Sequence, residues 1–455
     1  LTIILDLPLG FKSRDRVLLV CVYQLVLFVM NILLQDPFAV LKEHPEKLTH
    51  TIENPLRTEC LQFSPCGDYL ALGCANGALV IYDMDTFRPI CVPGNMLGAH
   101  VRPITSIAWS PDGRLLLTSS RDWSIKLWDL SKPSKPLKEI RFDSPIWGCQ
   151  WLDAKRRLCV ATIFEESDAY VIDFSNDPVA SLLSKSDEKQ LSSTPDHGYV
   201  LVCTVHTKHP NIIIVGTSKG WLDFYKFHSL YQTECIHSLN ITSSNIKHLI
   251  VSQNGERLAI NCSDRTIRQY EISIDDENSA VELTLEHKYQ DVINKLQWNC
   301  ILFSNNTAEY LVASTHGSSA HELYIWETTS GTLVRVLEGA EEELIDINWD
   351  FYSMSIVSNG FESGNVYVWS VVIPPKWSAL APDFEEVEEN VDYLEKEDEF
   401  DEVDEAEQQQ GLEQEEEIAI DLRTREQYDV RGNNLLVERF TIPTDYTRII
   451  KMQSS

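Results

Sequence analysis

Across 455 residues the sequence has no C-x-x-C pair, no G-x-x-x-x-G-K-[ST], no G-x-G-x-x-G and no H-E-x-x-H. A zinc or dithiol centre, a P-loop, a dinucleotide fold and a zinc-protease helix therefore lose their usual sequence support. The eleven cysteines stand singly. Cys74, Cys149, Cys159, Cys203 and Cys262 fall inside stretches that read as strands. An odd number without framework spacing suits small buried hydrophobes in a reducing compartment. The Asn240-Ile-Thr and Asn261-Cys-Ser matches to the glycosylation pattern are accordingly set aside. Positive charge is scarce, with 38 Lys and Arg against 69 Asp and Glu and a net charge of -31. That balance argues against a strongly basic nucleic-acid binder while leaving local basic loops open. Long apolar runs are missing too, apart from residues 17–34, VLLVCVYQLVLFVMNILL, which have the length of a signal peptide or membrane anchor. The first methionine is Met30, and the text after it reads as a polar lead-in. We therefore expect a native start at Met30, with residues 1–29 a non-native extension and no membrane segment; an anchor is the alternative, and the thiol usage favours the former.

What the chain does have is organised around residues 101–130, VRPITSIAWSPDGRLLLTSSRDWSIKLWDL. Three short alternating runs, 104–109, 115–119 and 125–128, are split by Ser110-Pro-Asp-Gly113 and Ser120-Arg-Asp122. Alternation bounded by Pro, Asp and Gly predicts strands joined by tight turns, an antiparallel meander. With Gly98-Ala-His100 ahead of it and Trp128-Asp129 closing the third strand, the stretch resembles one blade of a WD-repeat β-propeller. The resemblance implies a buried hydrogen-bonded tetrad of His100, a Ser or Thr of the second strand (Thr118 or Ser120), Asp122 and Trp128. A catalytic His/Asp pair is the less favoured reading.

One blade cannot bury both of its faces, so a propeller requires repeats. They lie at residues 60–85, 146–174, 199–227, 246–272, 292–328 and 344–370. The closing positions Tyr82, Trp128, Val171, Tyr225, Tyr270, Trp326 and Trp369 recur at roughly 45 to 55 residues, a blade period plus loops. The fold class expected is all-β: a seven-bladed WD40 β-propeller with a disordered, acidic C-terminal tail. A strand somewhere in residues 31–58 is expected to close the ring by pairing with the last blade. Gly216-Thr-Ser218-Lys-Gly220 has the form of a hydrolase nucleophile elbow, but that elbow joins a strand to a helix. Here it aligns with the first blade so that Ser218 takes the place of Ala75 in a strand-to-strand turn.

Residues 131–138, 177–197 and 305–321 depart from a minimal repeat and read as long loops. Lys132, Lys135, Lys138, Lys155, Arg156 and Arg157, in or near them, are candidates to meet phosphate, although a solvated turn is the plainer reading of each. After Trp369 the composition changes. Residues 383–417 hold nineteen carboxylates and one lysine. Such density keeps a free tail disordered by self-repulsion, yet Val391, Tyr393, Leu394, Phe400 and Val403 give a partner apolar surface to bury. Trp377, Leu380 and Phe384 are apolar anchors outside any repeat that could cover them, which fits a linear segment that orders on a partner.

The run KWSALAPDFEEVEENVDYLEKEDEFDEVDE resembles the segment after the propeller in the retinoblastoma-binding protein 5 family. These are WD-repeat subunits of COMPASS/MLL-type complexes that methylate lysine 4 of histone H3. The resemblance extends over residues 60–405, with LYIWE, the run from Gly331 to Gly339, VWS, and DPFAVLKEHPEKL after Met30. It implies a non-catalytic scaffold in the nucleus with no cofactor and no metal. It also implies a lead-in at 30–57, a propeller at 58–373, an activating segment at 374–390, an acidic partner-binding box at 391–407 and a tail at 408–455. Contacts to the SET-domain methyltransferase subunit would fall to Trp377, Ser378, Leu380, Pro382, Phe384 and Glu385. Those to the Ash2-like SPRY subunit would fall to Val391, Tyr393, Leu394, Glu397, Asp398, Glu399, Phe400 and Asp401. A WDR5-like WD-repeat subunit would meet Glu417, Ile418, Ile420 and Asp421, and the nucleosome is a further possible partner. Competing readings are a generic WD-repeat adaptor in another nuclear or cytosolic complex, which has no use for WSALAPDFEE, and an enzyme on a propeller, which needs a cluster of perturbed acids in the central channel.

Overall fold

The tight turns decide where each strand begins. In blade 2, Ser110 N–H donates to the Leu115 carbonyl at 2.9 Å and Gly113 N–H to the Ser110 carbonyl at 2.9 Å. Gly113 sits at φ 69° and its counterpart Gly67 at φ 77°, the left-handed region that a side chain strains to reach. The computed structural model describes residues 44–94, 98–183, 197–230, 232–274, 281–291, 295–304, 308–317, 321–350, 353–371 and 440–444. Among them the turns link seven four-stranded antiparallel sheets, the blades of a propeller. In chain order the blades occupy residues 58–91, 104–141, 146–182, 200–240, 246–289, 297–337 and 344–370, the last completed by Lys47–Ile52. Lys47–Ile52, within the stretch expected to supply a closing strand, pairs antiparallel with Val366–Ser370.

Burial follows strand rank. The second strand of blade 3, Leu158–Ile163, is buried throughout, and the third strands of blades 1 and 6, Leu79–Asp83 and Leu323–Glu327, are buried except at their last residue. Fourth strands such as Lys138–Arg141 and Val179–Leu182 are half exposed. That gradient corrects the loop assignments. Val179–Leu182 lies inside the stretch read as the loop 177–197, Lys138 opens a fourth strand, and Tyr310–His316 lies inside 305–321. A fourth strand shows one edge to solvent and covers only part of a neighbour, so it needs little alternation and leaves a weak sequence signal.

The innermost strand of every blade carries a register irregularity near its start, for example between Thr58 and Cys60, Ile104 and Ser106, and Leu344 and Ile347. Bulges increase local twist, and repeated seven times they turn the sheets around a central channel of about 640 Å³. Side chains on the inner strands tie some blades to the next. The Ser106 hydroxyl accepts from Cys149 N–H at 2.9 Å. At the seam between the last blade and the first, Asp346 accepts from Leu61 N–H at 3.2 Å and Asn359 Nδ2 donates to the Thr58 carbonyl at 2.8 Å.

Asp346 also accepts from Ile347 N–H at 3.0 Å. Burial pushes its carboxyl up to about 6, against the opposing pull of those N–H donors. A folded value above the unfolded one means that this group favours folding below the ordinary carboxylate range, about pH 3.8, and that the contribution is lost as pH rises through about 6. Asp346→Asn, which keeps an acceptor for Leu61, should therefore stabilise the propeller at pH 7.5 by on the order of 1–3 kcal/mol. The gain should shrink toward pH 5. Thermal melting at the two pH values checks this; an equal or negative shift at pH 7.5 would contradict it.

Candidate functional site

Four side chains that stand apart in sequence meet in blade 2. The His100 ring lies 2.9 Å from Asp122 through Nδ1 and 2.7 Å from the Thr118 hydroxyl through Nε2. Trp128 Nε1–H donates to the same hydroxyl at 3.0 Å. One proton arrangement satisfies every atom: indole N–H to Thr118, Thr118 O–H to His100 Nε2, and His100 Nδ1–H to Asp122. Burial lowers the pKa of the His100 imidazole, although Asp122 pulls the other way, and so keeps the ring neutral. Burial alone would raise the Asp122 carboxyl, but His100, the Ser124 hydroxyl and the Val101 N–H together hold it well below the usual range. Of the two second-strand candidates Thr118 is the member, because Ser120 donates instead to the carbonyls of Arg102 and Pro103.

The arrangement ties the loop that leads into blade 2 to the turn between its second and third strands. With His100 1% exposed and both of its nitrogens partnered, it offers no atom to a substrate. Blade 7 achieves the same tie with reversed polarity. There the loop supplies the acceptor, Glu342, and the turn supplies donors: Glu362 N–H at 2.6 Å, Ser363 N–H at 2.8 Å, and beside them the Tyr367 hydroxyl at 3.1 Å. Sequence reading missed Glu342 because no residue type matches His100 or Asp122. The available signal was the alignment of Trp369 with Trp128, which puts Glu341 to Glu343 in the loop. In blade 4 the loop pairs instead with the third strand, His197 Nδ1 lying 2.9 Å from the buried Asp223 and its ring stacking on Trp221 at 4.2 Å.

The other sequence candidates separate cleanly. Ser218 lies in a turn between Ile212–Thr217 and Trp221–Ser229, where its hydroxyl accepts from Tyr199 N–H at 3.0 Å. A nucleophile elbow needs a helix there, and the chain continues as a strand. Lys138 donates to the Ser175 carbonyl at 3.1 Å and to Asn176, and Arg156 lies 3.4 Å from Asp153. Both are partly occupied within the protein. Among the described residues no group of three or more His, Cys, Asp or Glu is arranged to hold a metal ion. No described helix is long and apolar enough to cross a membrane. The anchor-like run 17–34 lies outside the described residues, as do Trp377, Ser378, Leu380, Pro382, Phe384 and Glu385, the acidic box from Val391 to Asp401, and Glu417, Ile418, Ile420 and Asp421.

Sequence reading also missed a surface. Val101, Trp123, Trp147, Phe164, Tyr199 and Phe361 are all at least 40% exposed. All six lie at the end of the propeller that carries the His100 loop. Trp147 and Phe164 meet at a tilt with ring centroids 5.5 Å apart, and Val200 N–H donates to the Glu166 carbonyl at 3.0 Å, joining the loops of blades 3 and 4 that carry Phe164 and Tyr199. Exposed aromatics gathered on one face are what a docking surface uses.

Replacing Asp122 by Ala leaves His100 Nδ1–H and the Ser124 hydroxyl without their buried acceptor and should cost about 1–3 kcal/mol. Any activity the chain confers should survive per folded molecule. Unchanged melting together with lost activity would make the site functional rather than architectural.

The WD domain, G-beta repeat family matches residues 91–129, the stretch that holds this tetrad. The Set1 complex component swd1 of Schizosaccharomyces pombe is 38% identical over 381 residues, covering 83% of this chain and 91% of that protein. The retinoblastoma-binding protein 5 homolog of Drosophila melanogaster is 30% identical over 87% of this chain and 77% of its own length. The crystal structure of the Cps50 (Swd1) β-propeller domain of Myceliophteria thermophila superposes with a TM-score of 0.65 at 32% identity, covering 72% of this chain and all of that one. With this identity spread over propellers of the same build, the chain belongs to the Swd1/retinoblastoma-binding protein 5 family of WD-repeat proteins.

Proposed function

We propose that the chain is a scaffold and activating subunit of a COMPASS-type complex that methylates lysine 4 of histone H3 in the nucleus. The observation that carries this reading is the length of the match to the Set1 complex component. Its 381 aligned residues exceed the propeller at 47–370 and so include flanking sequence that propeller architecture alone does not demand. A subunit of this kind supplies no nucleophile. It raises the rate by binding the active conformation of the catalytic subunit better than the inactive one. The propeller holds the complex together through its loops and exposed faces.

The work of activation is assigned to the chain beyond the last blade. Trp377, Ser378, Leu380, Pro382, Phe384 and Glu385 would lie against the SET-domain subunit. Val391, Tyr393 and Leu394 with the carboxylates around Phe400 would dock on a basic, apolar-pocketed groove of the Ash2-like SPRY subunit. Glu417, Ile418, Ile420 and Asp421 would serve a WDR5-like subunit. Opposite charge sets the rate and the salt sensitivity of the second contact, while the apolar anchors set its strength and that of the first.

The two tail contacts are separable by experiment. Replacing Trp377, Leu380 and Phe384 by Ala removes anchors that contribute about 1.5–3 kcal/mol each if fully buried on a partner. Methylation by the reconstituted complex should fall while the propeller stays folded. Neutralising Glu395, Glu397, Asp398, Glu399, Asp401 and Glu402 should instead weaken capture of the SPRY subunit and flatten the salt dependence of that binding. Pull-downs across a salt series and methyl transfer to histone H3 measure both. Two variants that bind and stimulate like the native chain would reduce the tail to a solubilising extension.

A further inference from the structure

Beyond the acidic stretch, residues 440–444 return to the propeller. Ile442 is 3% exposed and belongs to the core shared by blades 1 and 2, with Leu116, Trp109, Cys91 and Trp128; Tyr69, Ile90 and Phe440 pack against that core. The Tyr69 phenol faces the backbone of Ile442, and burial pushes its pKa up. A methyl placed on Gly113 would come 4.0 Å from the Phe440 side chain. A core that an isolated pair of blades would leave open is thus completed by an aromatic and an aliphatic side chain two residues apart, the spacing that puts both on one face of an extended segment. Thr441 between them is exposed, as that alternation requires.

From this seat we propose that Phe440-Thr-Ile442 is a reversible latch. The groove between blades 1 and 2 is a docking site for an extended aromatic-x-aliphatic segment. In the resting chain it is filled in cis, which closes residues 372–439 into a loop tethered to the propeller at both ends. The latch is reversible because its holding force, the burial of two side chains and one polar contact, is of the same order as the entropy lost in closing a loop of roughly 70 residues. Shut, it limits the reach of the acidic stretch to that of a tethered loop. Open, it leaves a free tail with one fixed end. The inference stands whether or not that stretch binds the partners proposed above, since it concerns only the chain's hold on itself.

The test uses the full chain, its Ile442→Asp variant, and a fluorescent peptide spanning residues 438–446, ERFTIPTDY. Ile442→Asp lies outside every blade, so the propeller should stay folded with a single, lowered melting transition, while the variant should elute earlier on gel filtration as the loop opens. The peptide should bind the variant at least tenfold more tightly than the native chain, whose groove is occupied, and Tyr69→Phe in the variant background should weaken it several-fold. Amide exchange should show residues 440–442 protected in the native chain and exposed after the substitution. Equal binding to both chains, binding to neither, or unprotected amides at 440–442 in the native chain would overturn the latch.

Discussion

A four-stranded sheet of this kind is apolar on both faces, and only another such sheet on each side can cover it. Every other feature follows from that constraint. It requires a closed ring, because the covering is complete only when the sheets return on themselves. It makes the seam between blades 7 and 1 a special place, since there the two ends of the propeller must meet. There the strand Lys47–Ile52 from one end of the propeller completes a sheet from the other, and Asp346 and Asn359 add side-chain hydrogen bonds to blade 1. The ring bears an unfavourable element at this seam, a carboxyl whose burial disfavours its charged form.

The ties at the loop ends solve a second problem, holding irregular connections against regular sheets. Blade 2 uses the chain from Trp128 through Thr118 and His100 to Asp122, and blade 7 uses Glu342 with donors from the facing turn. The roles are exchanged between loop and turn, yet each buried polar atom still finds a partner. Both clusters of titratable groups are spent on architecture. That is the physical reason to look for function on surfaces and in the tail rather than in a cleft.

Much of blade 2 was legible because its signals are local: Ser110-Pro-Asp-Gly113 fixes a turn, and Ile125 to Trp128 alternate. The same holds for the closing strands ending in Trp326 and Trp369. Val179–Leu182 was not legible, since a half-exposed strand carries no sharp pattern. Tyr310–His316 was hidden by another cause, the polar runs Asn305-Asn-Thr307 and Gly317-Ser-Ser319 on either side of a short buried strand. Glu342 was invisible because its role depends on geometry, not residue type. Ile442 could not be read as core because its partners, Trp109 and Leu116, lie more than three hundred positions away. The tail assignments came from resemblance, which composition supports only as far as saying that such a stretch needs a partner.

The central claim is that this chain acts by assembly and not by catalysis. Affinity purification of the chain from its own cells, with every co-purifying polypeptide identified and the eluate assayed on histone H3, tests it most directly. The account predicts recovery of a SET-domain methyltransferase and a SPRY-domain subunit in stoichiometric amounts, with lysine 4 methylation in the eluate that disappears when the SET subunit is inactivated. Recovery without any SET-domain protein, or methyl transfer by the chain purified alone, would contradict it.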